Sequence, residues 1–196
     1  IKYSNSIPFN LSSLKSIIDA ESRRTFPYEI SYFVNSTCNL RCSYCYVGYH
    51  TKPSNALSTD EWKRVFDESI SCGALTFGNV GKEPLVSKDL TLELMRHLQI
   101  QRLADPRIRY GLVTNATLMS DEIISNLCSV EPDWIDISID GPKHIHDELR
   151  GQGNFDKTIT NISRLPRELK EKVFILCTAT SKNIGSFPEL MEMMFS

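Results

Sequence analysis

Cys38, Cys42 and Cys45 fall in the run Asn35-Ser-Thr-Cys-Asn-Leu-Arg-Cys-Ser-Tyr-Cys-Tyr46, directly after an apolar stretch with strand character. Their spacing is C-x3-C-x2-C, and the next cysteine is Cys72. Three thiolates on one short loop can hold three corners of a cubic iron–sulfur cluster and leave the fourth iron without a protein ligand. An open metal position is what a reaction needs and what a structural site avoids. The rival use of the same loop is a zinc site completed by His50, although zinc sites more often pair C-x2-C elements. A disulfide framework fits less well. The chain is long enough to build its own core, and three thiols within eight residues suit a metal better than bridges. Cys72, Cys128 and Cys177 lie in or beside apolar segments and read as buried thiols.

The elements that must position this loop alternate along the chain. Apolar runs rich in β-branched and aromatic residues occur at Glu29–Asn35, Ala74–Val80, Arg109–Asn115, Trp134–Asp140 and Val173–Thr180. Each precedes a segment with helical spacing: Thr59–Ile70, Leu90–Leu103, Asp121–Val130, Phe155–Leu165 and Phe187–Phe195. Helix starts are marked by Ser58 before Asp60-Glu61, Ser120 before Asp121-Glu122, and Asn154 before Phe155-Asp156. Strand followed by helix, repeated, predicts an α/β fold with parallel pairing, either a doubly wound sheet or part of a β/α barrel. Residues 1–28 read as a less regular lead-in, with Leu11, Leu14, Ile17 and Ile18 suggesting one short helix, and residues 29–196 as the core domain.

The fourth run favours the barrel. In Trp134-Ile-Asp-Ile-Ser-Ile-Asp140, alternation puts Ile135, Ile137 and Ile139 on one face and Asp136, Ser138 and Asp140 on the other. A parallel strand covered by helices on both sides would be apolar on both faces. A wet edge strand would also show this pattern; a lumen that holds a polar ligand explains it better.

Composition bounds the function. The 196 residues amount to about one domain, 41% apolar and 23% charged, with a net charge of −2. No long basic block calls for nucleic acid, and Arg102, Arg107 and Arg109 read as a solvated loop and helix end. No apolar run approaches membrane-spanning length, and the N-terminus lacks the form of a secretory signal. Reduced thiols without an export signal point to the cytoplasm. The chain begins at Ile1 rather than Met, which suggests trimming.

Taken in order, several motifs resemble those of the radical S-adenosylmethionine (radical SAM) enzymes, more closely their sulfatase-maturating and peptide-modifying branch. The three-cysteine loop with Tyr44 before its last cysteine resembles the family signature. Gly81-Lys-Glu-Pro-Leu85 is similar to a Gly-Gly-Glu-Pro motif, and Thr114-Asn115 to a Thr-Asn pair at the third strand's end. Ser138-Ile-Asp-Gly-Pro142, then His146-Asp147, Arg150-Gly151 and Gly153-Asn-Phe-Asp156, resemble the fourth-strand motif and the helix start beyond it. These stretches sit at the C-terminal ends of successive strands, where β/α barrels place their chemistry.

The resemblance implies a partial (β/α) barrel of about five to six βα units. It implies a [4Fe-4S] cluster on Cys38, Cys42 and Cys45, with S-adenosylmethionine on the open iron. Reductive cleavage of that ligand would yield a radical that abstracts hydrogen from a peptide or protein substrate. The electron would come from a reductant such as flavodoxin or ferredoxin; neither nucleic acid nor membrane is implied. Gly81, Lys82, Glu83 and Pro84 would meet the ligand's amino group, mainly through backbone oxygens. Asn115 would face its ribose or methionyl part, and Ser138 and Arg150 its carboxylate. Tyr44 would lie against the adenine or order the loop.

Each residue also has a plainer use. Glu83 could stabilise a helix N-terminus, Asn115 could serve a turn, and Arg150 could pair with Glu148 or Asp147 on the surface. Tyr44 could simply pack, and His144 and His146 read as loop or capping residues. Two departures from the family pattern stand out. Lys82 replaces the second glycine, so either it points out of the lumen or this pocket differs from its relatives. The chain also stops at Ser196, after five strand–helix units, which suggests a fragment or a partner chain. An open barrel of that length leaves a strand edge at Val173–Thr180 to be covered. The alternative from another class is a non-catalytic iron–sulfur or zinc-binding module.

Overall fold

The computed structural model describes residues 26–47 and 56–195. The leading helix around Leu11–Ile18 and the rival zinc ligand His50 lie outside the described residues. Five strands form one sheet: β1 (Glu29–Tyr32), β2 (Thr76–Asn79), β3 (Arg109–Thr114), β4 (Trp134–Ser138) and β5 (Val173–Leu176). They lie side by side in chain order, and every neighbouring pair is parallel. A doubly wound sheet reverses its strand order partway. This one never does, so each crossover adds the next strand on the same side, as in a β/α barrel.

The crossovers are helical. The helices are α1 (Thr59–Ser71), α2 (Lys88–Ala104), α3 (Asp121–Val130), α4 (Lys143–Arg150), α5 (Asn154–Ser163), α6 (Arg167–Lys170) and α7 (Phe187–Phe195). α1 starts where the sequence predicts, because Ser58 and Glu61 cap each other's backbone N–H groups. Ser120 likewise accepts from Ile123 N at the start of α3. α4 was not expected. Its eight residues carry two histidines and four charged groups, too short and polar for periodicity to register, and its signal is Pro142 just before the first turn.

Alternation divides the sheet into two faces. On the outer face, Tyr32, Phe77, Tyr110, Leu112, Ile135 and Ile137 are buried, and they share one apolar core with Phe66 of α1, Leu94, Met95 and Leu98 of α2, and Leu127 of α3. Phe66 bridges this layer, edge-on to the Tyr32 ring at 4.9 Å and tilted against Phe77 at 5.1 Å. The opposite face carries Gly78, Gly111, Val113, Asp136, Ser138, Phe174 and Leu176. Gly78 and Gly111 face each other across β2 and β3. A Cβ on Gly111 would lie 2.3 Å from the Trp134 ring, so the glycine makes room for the indole.

The strands are shorter than the apolar runs. Beyond β4 the chain still bonds across, with Ile139 N donating to Leu176 O at 3.1 Å. Thr178 N instead donates to the Asp140 side chain at 3.0 Å, which ends the ladder on β5. Among the described residues, no helix is long and apolar enough to cross a membrane.

Candidate functional site

The loops at the C-terminal ends of the strands surround a cavity of about 380 Å³. Cys38, Cys42 and Cys45 line it, together with Tyr44, Gly81, Lys82, Asn115, Ser138, Arg150 and Thr178. Most of the residues singled out by motif therefore meet in one place. Glu83 and Pro84 are not part of the wall; both are buried behind it.

The cysteine loop is held from two sides. Asn39 accepts from Asn115 Nδ2 at 3.0 Å and donates to Thr117 Oγ1 at 2.8 Å, which ties the first half to the end of β3. Ser43 N donates to Leu149 O of α4 at 2.8 Å, which ties the second half to the β4–α4 unit. Within the loop, Leu40 N donates to Cys38 Sγ at 3.4 Å, a backbone dipole aimed at sulfur. Burial pushes the Cys38 and Cys42 thiols up, while the charges of Lys82 and Arg150 respectively oppose that shift. Cys38 also responds to Cys45, and Cys42 to both Cys38 and Cys45, so the sulfurs share one electrostatic neighbourhood. Among the described residues, no three His, Cys, Asp or Glu side chains converge on a point that one ion could occupy. A cubane offers each thiolate its own iron, so three sulfurs spread along one cavity wall suit such a cluster without converging.

Asp140 organises the wall opposite. It is fully buried, and its carboxylate takes four donors. Arg150 Nε and Nη2 donate at 2.6 and 3.2 Å, the Tyr44 hydroxyl at 2.5 Å and Thr178 N at 3.0 Å. Arg150 is thus a buried partner of Asp140 and not a surface partner of Glu148 or Asp147. Its guanidinium also stands 5.6 Å from the Tyr44 ring centroid. Tyr44 is held in place by its hydroxyl, and burial, above all, raises its phenol well beyond the usual range. Behind Asp140, Asn183 Nδ2 donates to its backbone oxygen at 2.9 Å. His146 Nδ1 accepts from its backbone N–H at 3.3 Å.

His146 is therefore a buried helix residue, not a loop or cap group. Burial, aided by the Arg150 charge, pushes its pKa down to about 4, so it is neutral, and its Nε2 meets no partner among the described residues. Asp147 accepts from Gly153 N and Phe155 N, both at 2.9 Å, which fixes the sharp turn from α4 into α5. Cys72 is exposed at the end of α1, contrary to the expectation of a buried thiol; Cys128 and Cys177 are half-buried against the core.

The second-strand motif is a hinge of unusual backbone. Gly81 has φ 75°, and a Cβ there would run into the Phe33 ring at 1.7 Å. Lys82 follows with φ 48°, the left-handed region that a glycine occupies without strain, and the residue is part of the cavity lining. Glu83 accepts from Thr114 Oγ1 at 2.7 Å, Asn115 N at 2.8 Å and Leu85 N at 3.1 Å. It caps the short turn Pro84–Ser87 and at the same time locks the end of β3. Burial raises its carboxyl despite these three donors. Asn115 closes a turn by accepting from Thr117 N at 2.9 Å while its amide reaches Asn39.

Sequence reasoning gave no role to Asp140, Asn39, Thr117 or Asn183. Only Asp140 left a signal, as a polar residue on the β4 alternation beside Ser138.

Comparison with known proteins bears on the fold and the family. Residues 32–194 match the model of the radical SAM superfamily. The chain is 31% identical over 170 residues to an AdoMet-dependent heme synthase of Methanosarcina barkeri, covering 85% of this chain and 47% of that protein. It is 27% identical over 169 residues to a PqqA peptide cyclase of Bradyrhizobium diazoefficiens, covering 85% of this chain and 43% of the cyclase. Streptococcus suis SuiB, solved with S-adenosylmethionine bound, superposes with a TM-score of 0.72 at 19% identity, covering 98% of this chain and 44% of SuiB. The chain thus spans less than half the length of these relatives. The match to the family model runs from β1 to α7 and takes in every cavity-lining strand end, and the chain belongs to the radical SAM superfamily.

Proposed function

We propose that this chain is the catalytic core of a radical SAM enzyme that abstracts hydrogen from a peptide or protein side chain. Its carrying observation is the single cavity lined by Cys38, Cys42 and Cys45 together with Ser138, Asn115 and Arg150. In this reading the three thiolates hold a [4Fe-4S] cluster and S-adenosylmethionine fills the space between the loop and β4. When bound, the two supply one-electron cleavage of a carbon–sulfur bond and, through it, hydrogen-atom abstraction.

The protein's part is to bind, orient and shield. Asp140 engages Nε and Nη2 of Arg150, which in this reading leaves Nη1 as the donor for a ligand carboxylate, with Ser138 lining the same cavity. In this reading the backbone oxygens of the Gly81-Lys82 turn, which lines the cavity, would meet the ligand's ammonium group. Tyr44 and Asn115 line the same cavity, where a bound ligand would be partly shielded from water. Reduced thiols suit a cytoplasmic setting, and the electron requires a one-electron protein donor such as a flavodoxin or ferredoxin.

Protein prepared without oxygen is expected to carry iron and sulfide at about four each per chain. Alanine at Cys38, Cys42 or Cys45 removes most of both, whereas alanine at Cys72 or Cys128 leaves them. Stoichiometric zinc without sulfide would overturn the reading. A tetrapyrrole substrate is the second reading, because one relative is named for heme. A shifted porphyrin absorption band on titration with a ferric porphyrin would favour it over a peptide.

A further inference from the structure

Of the polar residues that β4 and its extension turn to the inner face of the sheet, Ser138 lines the cavity and Asp140 organises its wall, which leaves Asp136 without a use. Asp136 lies two residues below Ser138, about 7 Å along the strand. With Arg109, Asp133, Trp134 and Phe174 it lines a second, open groove of about 590 Å³. The Trp134 ring covers Gly111 and reaches toward Gly78, which gives the groove an aromatic floor. Phe174 stands beside Asp136 in register on β5 and is exposed. Asp133 is already engaged, by Arg109 at 2.7 Å and Arg102 at 3.1 Å. Arg109 begins β3 four residues below Val113, the partner of Asp136, so it sits about 13 Å lower at the mouth. Asp136 itself has no hydrogen bond or ion pair among the described residues, and burial raises its carboxyl with no cation to offset it.

Resting on the function proposed above, we infer that this groove is a substrate subsite for a basic side chain, lysine or arginine, with Asp136 as its counter-ion. A half-buried carboxylate is costly to keep charged without a partner, and a cation supplies one. The Trp134 and Phe174 rings suit the same occupant, since aromatic faces attract cations and a long basic side chain lays its apolar stem on such surfaces. A neutral side chain would leave Asp136 unpaired, and an acidic one would be repelled by it. An extended peptide covers the distance from Ser138 to Asp136 with about two residues. The basic residue therefore falls within about two positions of the one that meets the upper cavity.

The experiment uses dye-labelled alanine–glycine peptides that differ only in a central lysine, norleucine or glutamate. Their binding to the full chain, prepared without oxygen and with S-adenosylmethionine present, is read by fluorescence anisotropy, and iron and sulfide are assayed in the same samples. Wild type is expected to hold the lysine peptide about tenfold more tightly than the norleucine peptide at low salt, with the gap narrowing as salt rises. Asp136→Asn removes the gap. That variant keeps the shape of the side chain and sheds a poorly solvated charge, so it folds even if a bulkier one does not. Asp136→Lys turns the preference toward the glutamate peptide, which a merely structural role would not do. Equal binding of the lysine and norleucine peptides by wild type overturns the inference, as does a gap that survives in Asp136→Asn. With iron and sulfide present in those samples, the proposed function outlives the subsite. A chain that takes up neither fails that function first, and the substrate subsite with it.

Discussion

At the scale of single residues, one carboxylate does most to shape the site. Asp140 holds Arg150, the Tyr44 hydroxyl and the backbone after β5 together while being fully buried. A buried ion pair adds little net stability over an apolar substitute, but removing one partner leaves the other charge stranded. Asp140→Asn is therefore expected to lower unfolding free energy by about 3 kcal/mol. Tyr44→Phe, which loses a hydrogen bond and no charge, should cost about 1 kcal/mol. Urea titration of both variants reads the difference. Equal, small losses in the two would show that Arg150 reaches water or another acid when Asp140 is neutralised.

At the scale of elements, the close approach of β3 and β4 depends on Gly111. A methyl there would sit 2.5 Å from the Trp134 carbonyl oxygen as well as against its ring, and a backbone atom cannot rotate away. Gly111→Ala is expected to destabilise by roughly 3 kcal/mol, near the upper end for overpacking. Gly153→Ala, where no atom lies within 4 Å, would lose only what its φ of 79° demands. Thermal unfolding of the pair tests whether contact or conformation dominates.

The order and type of these elements were legible because alternation and helical spacing report which face is apolar. They do not report what the polar face touches. Tyr44 and Asp140 stand 96 residues apart, and no local pattern joins them. The left-handed turn at Lys82 was hidden for the opposite reason: a lysine gives no local hint of a backbone that glycine usually supplies. α4 escaped because one short helix with buried His146, Asp147 and Arg150 reads as polar loop.

At the scale of the whole molecule, the sheet is open. β5 pairs with β4 on one side, and among the described residues no strand pairs with its other edge. Phe174, Ile175 and Leu176 are all exposed there, at 59%, 37% and 43%. Three successive exposed apolar residues on a strand edge invite pairing with another chain. The 196-residue chain alone is expected to self-associate as its concentration rises, and Phe174→Lys to reduce that association. Sedimentation velocity over a range of concentrations decides it; a wild-type chain that stays monomeric throughout would mean the edge is already covered.

The cysteine loop has one more consequence, which concerns time. Its second half is shaped by Leu149 O and Asp140, residues about a hundred positions downstream. As the chain leaves the ribosome, the thiols emerge long before the parts that hold them in place. The second half of the loop lacks these contacts until α4 has been synthesised and has docked beside β4. Under the proposed function, cluster assembly is therefore expected late in the life of the nascent chain, and a truncated product lacking α4 is expected to keep its cysteines and bind less iron.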